Sequence, residues 1–168
     1  FWGARASQLI HWFKRWDKVL EADEARHKYR WFTGAKLNAA FNCIDRHLIS
    51  GRRNKAALIW QGEKEMDVRC FTYQMLYTEV CRVAHALSSL HINKGDRVAL
   101  YMPMIPELVI AMLACSRIGA IHTAIFSGYA EGGVRSRIQG SKAKVVITAD
   151  AAIRAGKIKP LKANLDPI

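Results

Sequence analysis

The stretch YMPMIPELVIAMLACSRIGAIHTAIFSGY, residues Tyr101–Tyr129, decides the fold. It reads as the tail of a strand, a helix, a second strand and a glycine turn. Leu108, Met112 and Cys115 recur every three or four residues, while Val109, Ile110 and Leu113 fill other faces. A helix apolar nearly all round is covered on more than one side. Ile121–Phe126 is too short for another helix and suits a buried strand. In α/β proteins, ligands sit at strand ends that carry such turns, so Phe126–Tyr129 is expected to border a binding site.

Working outward, Thr72 is placed to cap a helix striped by Leu76, Val80, Val83, Leu87 and Leu90, closed by Lys94-Gly95-Asp96. Arg97–Met102 is the next strand, and Pro106 fits the first turn of the central helix, which Ile118-Gly119 ends. Glu131–Ile138 follows as a short helix with a basic face at Arg135 and Arg137, broken by Gly140-Ser141-Lys142. Val145–Thr148 is a further strand ending at Ala149-Asp150. Helix and strand alternate from Thr72 onward, which means an α/β fold: a parallel sheet with flanking helices and right-handed crossovers.

Upstream, Leu9, Trp12, Phe13 and Trp16 follow helical spacing. Val19–Tyr29 is charged, lacks a stripe and reads as a surface linker; Trp31-Phe32-Thr33-Gly34 marks a turn. Lys36–Ile49 is an amphipathic helix with Leu37, Ala40, Phe41, Ile44 and Leu48 in register, and Gly51–Lys55 is a basic turn. Ala56–Trp60 and Val68–Phe71 form a hairpin around Gly62-Glu63-Lys64-Glu65. Residues 1–50 are thus an N-terminal helical extension, and residues 51–168 are the first part of an α/β domain that continues beyond the chain.

With 168 residues and 51% hydrophobic content the chain can bury one core. It has no 18-residue uncharged apolar run, so no transmembrane span or membrane partner is expected. It begins at Phe1 without a signal-peptide pattern and stops at Leu165–Ile168 with a helix under way, as a piece of a longer chain would. Cys43, Cys70, Cys81 and Cys115 lack C-x-x-C spacing and read as reduced thiols of a cytosolic type. Cys43 with His47 and Cys81 with His85 have i,i+4 spacing that could bind a metal, but no third ligand accompanies them, so packing is preferred and no metal site is assigned. The net charge of +12 is spread along the chain. It fits a solvated surface or a phosphate-rich partner. A nucleic-acid-binding module would need interleaved exposed aromatics or a recognised motif, and neither is evident; a scaffold docking through its Trp-rich N-terminus is a third class.

No phosphate-binding P-loop, dinucleotide fingerprint, zinc-protease helix or nucleophile elbow occurs, and no acid–base pair can be assigned, so no catalytic residue is expected in this segment. One anion site is suggested by Arg154-Ala155-Gly156-Lys157-Ile158-Lys159-Pro160. With Pro160 opening a helix, free N–H groups, two cations and Gly156 would cradle a phosphate. A solvated basic loop is the alternative.

Several stretches carry a resemblance: LNAAFNCIDRHL at 37–48, ALIWQG at 57–62, FTY at 71–73, KGDRVALYMPM at 94–104 and IPE at 105–107. AMLAC at 111–115, RIGA at 117–120, VITAD at 146–150 and RAGK at 154–157 complete it. Collinear over nearly the whole chain, they resemble the N-terminal part of AMP-forming acetyl-CoA synthetases, adenylate-forming enzymes related to acyl-CoA ligases and luciferases. The resemblance implies the large N-terminal domain of that superfamily. It also implies a two-step ligation: acetate and ATP give acetyl-adenylate and pyrophosphate, and CoA thiol then gives acetyl-CoA and AMP. Propionate or another short acid is the alternative substrate. ATP and CoA are substrates, Mg2+ accompanies ATP at a site outside this chain, and the adenylation motifs and mobile C-terminal domain lie downstream. The segment alone should be inactive. The location implied is cytoplasmic, with a mitochondrial one open. The family's CoA-binding segment matches Arg154, Ala155, Gly156 and Lys157. Lys157 stands where an arginine is usual, which keeps the charge but not the planar fork. The family's turn along the CoA path matches Phe126-Ser127-Gly128-Tyr129, implying contacts from Phe126, Ser127 and Gly128.

Overall fold

The computed structural model describes residues 1–168. Helix α1 (Trp2–Leu9) buries Ala6 and stops there. The helix expected through Leu9–Trp16 does not form. Phe13 and Lys14 instead donate their N–H groups to Lys36 O at 2.8 and 3.1 Å, and Lys36 N returns a bond to Lys14 O at 2.9 Å. Trp12 and Trp16 pack on Phe32 with ring centroids 5.3 and 5.0 Å apart. The helical spacing of these aromatics reflects contacts with a distant segment, not a local helix.

That segment is a hairpin, β1 (Lys18–Asp23) with β2 (Lys28–Thr33), paired as Leu20↔Trp31 and Ala22↔Tyr29. It replaces the expected linker. Both its faces are largely exposed, so its sequence carries no apolar alternation. Trp31–Thr33 belongs to the strand, and the turn falls at Gly34, whose φ is +76°. A Cβ there would stand 2.0 Å from Asp17 Oδ2. The amphipathic helix begins only near Ala39, where Asn38 Oδ1 accepts from Phe41 N at 3.1 Å. It passes through a π-helical turn at Phe41–Asp45 into α2 (Arg46–Ile49), burying Ala40 and Ile44 and leaving Leu37 exposed.

The next hairpin, β3 (Ala56–Gln61) and β4 (Val68–Thr72), lies where the sequence placed it. Thr72 Oγ1 accepts from Met75 N at 3.2 Å and caps α3 (Tyr73–Ser89), which buries Leu76, Val80, Ala84 and Leu87 while Leu90 stays exposed. Strand β5 (Arg97–Met102) leads to α4 (Pro106–Ile118), opened by Pro106 and closed by Gly119 at φ +76°. Then come β6 (Ile121–Phe126), α5 (Glu131–Ser141) and β7 (Val145–Thr148). Helix α5 runs through Gly140 and Ser141 and ends at Lys142, which is left-handed. The three strands make a parallel sheet in the order β6-β5-β7, the α/β architecture read from the alternation. Strand β6 is an edge strand with Ile121 and Phe126 exposed, not the fully buried strand expected. Beyond the sheet, β8 (Ala151–Arg154) and β9 (Lys157–Pro160) form a third hairpin. Pro160 therefore ends a strand and opens no helix. A proline fits at that position because the end of an edge strand needs no N–H donor.

Period-two alternation in β5 divides the core. Val98, Leu100 and Met102 join the side chains of α3 and α4; Ala99 and Tyr101 join Ile125, Val134, Ala152 and Leu161 on the other face. The N-terminal region is fastened to this body at the end of α4. Arg117 grips Asp45 with two bonds of 3.1 and 2.6 Å, and Asn38 Nδ2 donates to Ser116 O and Arg117 O at 3.2 and 3.0 Å. Burial would lower the affinity of Arg117 for its proton, and the bond and charge of Asp45 outweigh that and raise it. At the start of the sheet Asp96 accepts from Lys144 Nζ at 2.6 Å and Asn93 N at 2.9 Å, which holds its carboxyl below the usual range. No helix is long and apolar enough to cross a membrane.

Asp45→Ala should leave the Arg117 guanidinium, with about one fifth of its side chain exposed, without its carboxylate. The expected loss is about 2–3 kcal/mol, below the cost of breaking a fully buried pair, read as a shift in the urea-unfolding midpoint. Burial pushes the Cys115 thiol up to about 11. At about pH 8 an alkylating reagent should therefore modify exposed Cys43 and Cys70 in the folded protein and reach Cys115 only after denaturation, as checked by mass spectrometry.

Candidate functional site

The carboxyl end of the parallel sheet carries the turn Phe126–Tyr129. Beneath it Tyr101 is fully buried, and its hydroxyl donates to Tyr129 O at 3.0 Å. Asn164 Nδ2 donates to that hydroxyl at 3.2 Å, so the one polar atom of the ring is satisfied twice. This buried phenol pins the turn to β5 and to the C-terminal segment. The turn folds the Phe126 ring back over Gly128: a Cβ on Gly128 would stand 2.4 Å from a Phe126 ring carbon. The exposed Phe126 and Tyr129 rings meet edge to face, centroids 5.9 Å apart.

The basic hairpin reaches the same place. The guanidinium of Arg154 lies over the Phe126 ring, 5.7 Å from its centroid, and that of Arg137, on α5, lies 3.8 Å from the centroid of Tyr129. Two candidate segments that the sequence could only place separately thus meet through a cation–π contact. Arg137 was missing from the candidate set; its sequence signal was its place on the basic face of α5. Neither Arg154 nor Lys157 forms an ion pair.

The phosphate cradle expected at a helix N-terminus is not present. Ala155 and Gly156 form a two-residue turn with φ of +51° and +70°. Their N–H groups donate to Glu63 Oε1 and Oε2 at 2.6 and 2.9 Å. A cavity of about 1100 Å3 lies between the β3–β4 loop, the loop after β5 and the β8–β9 hairpin, with Glu63 and Gly156 in its wall. No group of three or more His, Cys, Asp or Glu side chains converges as a metal site would require. Burial lowers the proton affinity of His122, and burial with Arg46 and Arg52 lowers that of His47; neither residue belongs to the turn or the basic hairpin. The arrangement therefore offers positive charge and exposed aromatic faces, suited to an anion attached to a planar ring.

Such a sheet end, bordered by a glycine turn and free cations, is where an α/β domain places its ligands. Residues 25–167 match the model of the AMP-binding enzyme family, and residues 1–43 match that of the acetyl-coenzyme A synthetase N-terminus. The chain belongs to the AMP-binding enzyme family. It is 53% identical over 166 residues to an acetyl-coenzyme A synthetase of Gemmatimonas aurantiaca, covering 99% of this chain and 25% of that protein. To the acetyl-coenzyme A synthetase of Syntrophus aciditrophicus it is 48% identical over 167 residues, covering 99% of this chain and 26% of that protein. It is 45% identical over 166 residues to acetyl-coenzyme A synthetase 2 of Pseudomonas aeruginosa, covering 99% of this chain and 26% of that protein. The chain spans about a quarter of the length of these curated relatives.

Gly128→Ala should push the exposed Phe126 ring out from under Arg154 at a stability cost of under about 1 kcal/mol, because the ring can swing into solvent. The check is the ring-current shift on the Arg154 side-chain protons in NMR spectra, which should collapse in the variant while the backbone spectrum of β5 is retained.

Proposed function

We propose that the whole protein ligates acetate to CoA at the expense of ATP, and that this chain supplies the contact for the nucleotide end of CoA. The single observation that carries the assignment is the stacking of Arg154 on Phe126, which joins the basic hairpin to the glycine turn at the carboxyl end of the sheet. The names of the relatives support the chemistry: acetate and ATP form acetyl-adenylate with release of pyrophosphate, and the CoA thiol then displaces AMP. Arg154 and Lys157 supply charge to the phosphates of CoA. Phe126 supplies an apolar face, and Ser127, Gly128, Ala155 and Gly156 shape the backbone around it. Propionate or another short acid is the alternative acyl substrate, because no residue of an acyl pocket is assigned here. Mg2+ accompanies ATP outside this segment, and no step is routed through it. The mobile C-terminal domain is the remaining partner, and the cytoplasm is the proposed location. Residues 1–50 act as an N-terminal extension to an α/β domain that begins at residue 51.

The test uses the full-length protein. Acetate-dependent exchange of pyrophosphate into ATP is expected, and absence of exchange with every short acid would refute the ligase assignment. Arg154→Ala should raise the KM for CoA about tenfold, as expected for loss of a charge-assisted contact, while exchange stays within about twofold of the parent. Equal loss of both half-reactions would refute the CoA assignment.

A further inference from the structure

Arg154 and Lys157 are the last ladder pair of the β8–β9 hairpin, so the turn between them sets where both cations point. Both turn residues are left-handed, as a type I′ turn requires. Gly156 adopts that conformation freely, but Ala155 carries a Cβ and is strained there. The N–H groups of these two residues lie outside the ladder, exposed and free to take an acceptor other than water. One side chain serves both: the Glu63 carboxylate accepts from Ala155 N at 2.6 Å and from Gly156 N at 2.9 Å, across more than ninety residues of chain.

The carboxylate is itself held in place. In the β3–β4 loop Gly62 N donates to Asp67 O at 2.7 Å, and Gln61 Nε2 donates to Lys64 O at 2.9 Å. The Asp67 side chain folds over Gly62, its Oδ2 reaching within 2.2 Å of where a Cβ would stand. A braced loop thus carries an anion to a strained turn. The pairing is bidentate and charge-assisted, the strongest kind available to two backbone donors.

Taking the assignment of this turn to CoA as given, we propose that Glu63 is a positioning residue for the thioester-forming step. Its carboxylate selects the type I′ turn and so presents Arg154 and Lys157 as a fixed pair of charges. Glu63 does not touch CoA. Because it occupies both backbone donors, the phosphate is read by side chains and not by the main chain of the turn.

The experiment compares parent, Glu63→Ala, Glu63→Asp, Arg154→Ala and the Glu63→Ala/Arg154→Ala double variant in the full-length protein. Glu65→Ala serves as a control on the same loop. Glu63→Ala should raise the KM for CoA about tenfold, the scale of losing charge-assisted bonds, with kcat and acetate-dependent ATP–pyrophosphate exchange within about twofold of the parent. Glu63→Asp should recover part of that loss, and Glu65→Ala should match the parent. The double variant should lose less than the product of the two single losses, because part of what Glu63 does is done through Arg154 and the rest through Lys157; fully multiplicative losses overturn the proposal. An unchanged KM in Glu63→Ala beside a raised KM in Arg154→Ala overturns the proposal and leaves the CoA assignment standing. A lowered KM overturns it too, since the carboxylate would then compete with phosphate for the turn. Equal loss of exchange and thioester formation in Glu63→Ala overturns it in favour of a purely structural role. No effect on CoA in Arg154→Ala refutes the CoA assignment, and the proposal falls with it.

Discussion

Strand β5 has no side that faces solvent. Val98, Ala99, Leu100 and Tyr101 are all fully buried, and successive side chains enter opposite cores. Each fully buried Val or Leu there contributes about 1.5–3 kcal/mol, so both faces must be covered by helices and both edges paired by strands. The placement of α3 and α4 on one face, α5 on the other, and β6 and β7 alongside follows from this one strand. Tyr101 extends the same constraint to the site, because its ring fills the core while its hydroxyl holds Tyr129 O.

Charge is arranged differently from apolar bulk. The surplus of 26 basic over 14 acidic residues is spread along the whole sequence. Most ion pairs lie on the surface within a few residues of one another, where they contribute little. The exceptions are long-range and organise the fold: Asp45 with Arg117 fastens the N-terminal region to α4, Arg69 meets Glu107 at 2.7 Å, and Lys144 meets Asp96. Arg154, Arg137 and Lys157 stand apart from all of these. Two of them lie over aromatic rings without a carboxylate, and this leaves their charge available to an incoming anion.

The parts of the fold that were legible in the sequence are those marked by local pattern and capping chemistry. The boundaries of β5, β6 and β7, the Thr72 cap, Pro106 at the first helical position and Gly119 at the end of α4 all fell where pattern and capping chemistry put them. The failures share a cause. Leu9–Trp16 has helical spacing, but its backbone bonds go to Lys36 and its rings to Phe32. The β1–β2 hairpin is too exposed to leave an apolar alternation, so its pairing has no one-dimensional trace. Pro160 suits a helix start and a strand end equally well, and pairing with Ala151 decides between them.

By itself the sequence determined the α/β class and the central strand–helix–strand unit, because period and capping are local properties of the chain, and it singled out the two short segments of the candidate site. It could not determine that these segments touch. The stacking of Arg154 on Phe126, the approach of Arg137 to Tyr129 and the capture of the Ala155–Gly156 turn by Glu63 each join residues distant in sequence. Such contacts exist only once the sheet has brought the strand ends and hairpins together, and tertiary structure alone fixes that geometry.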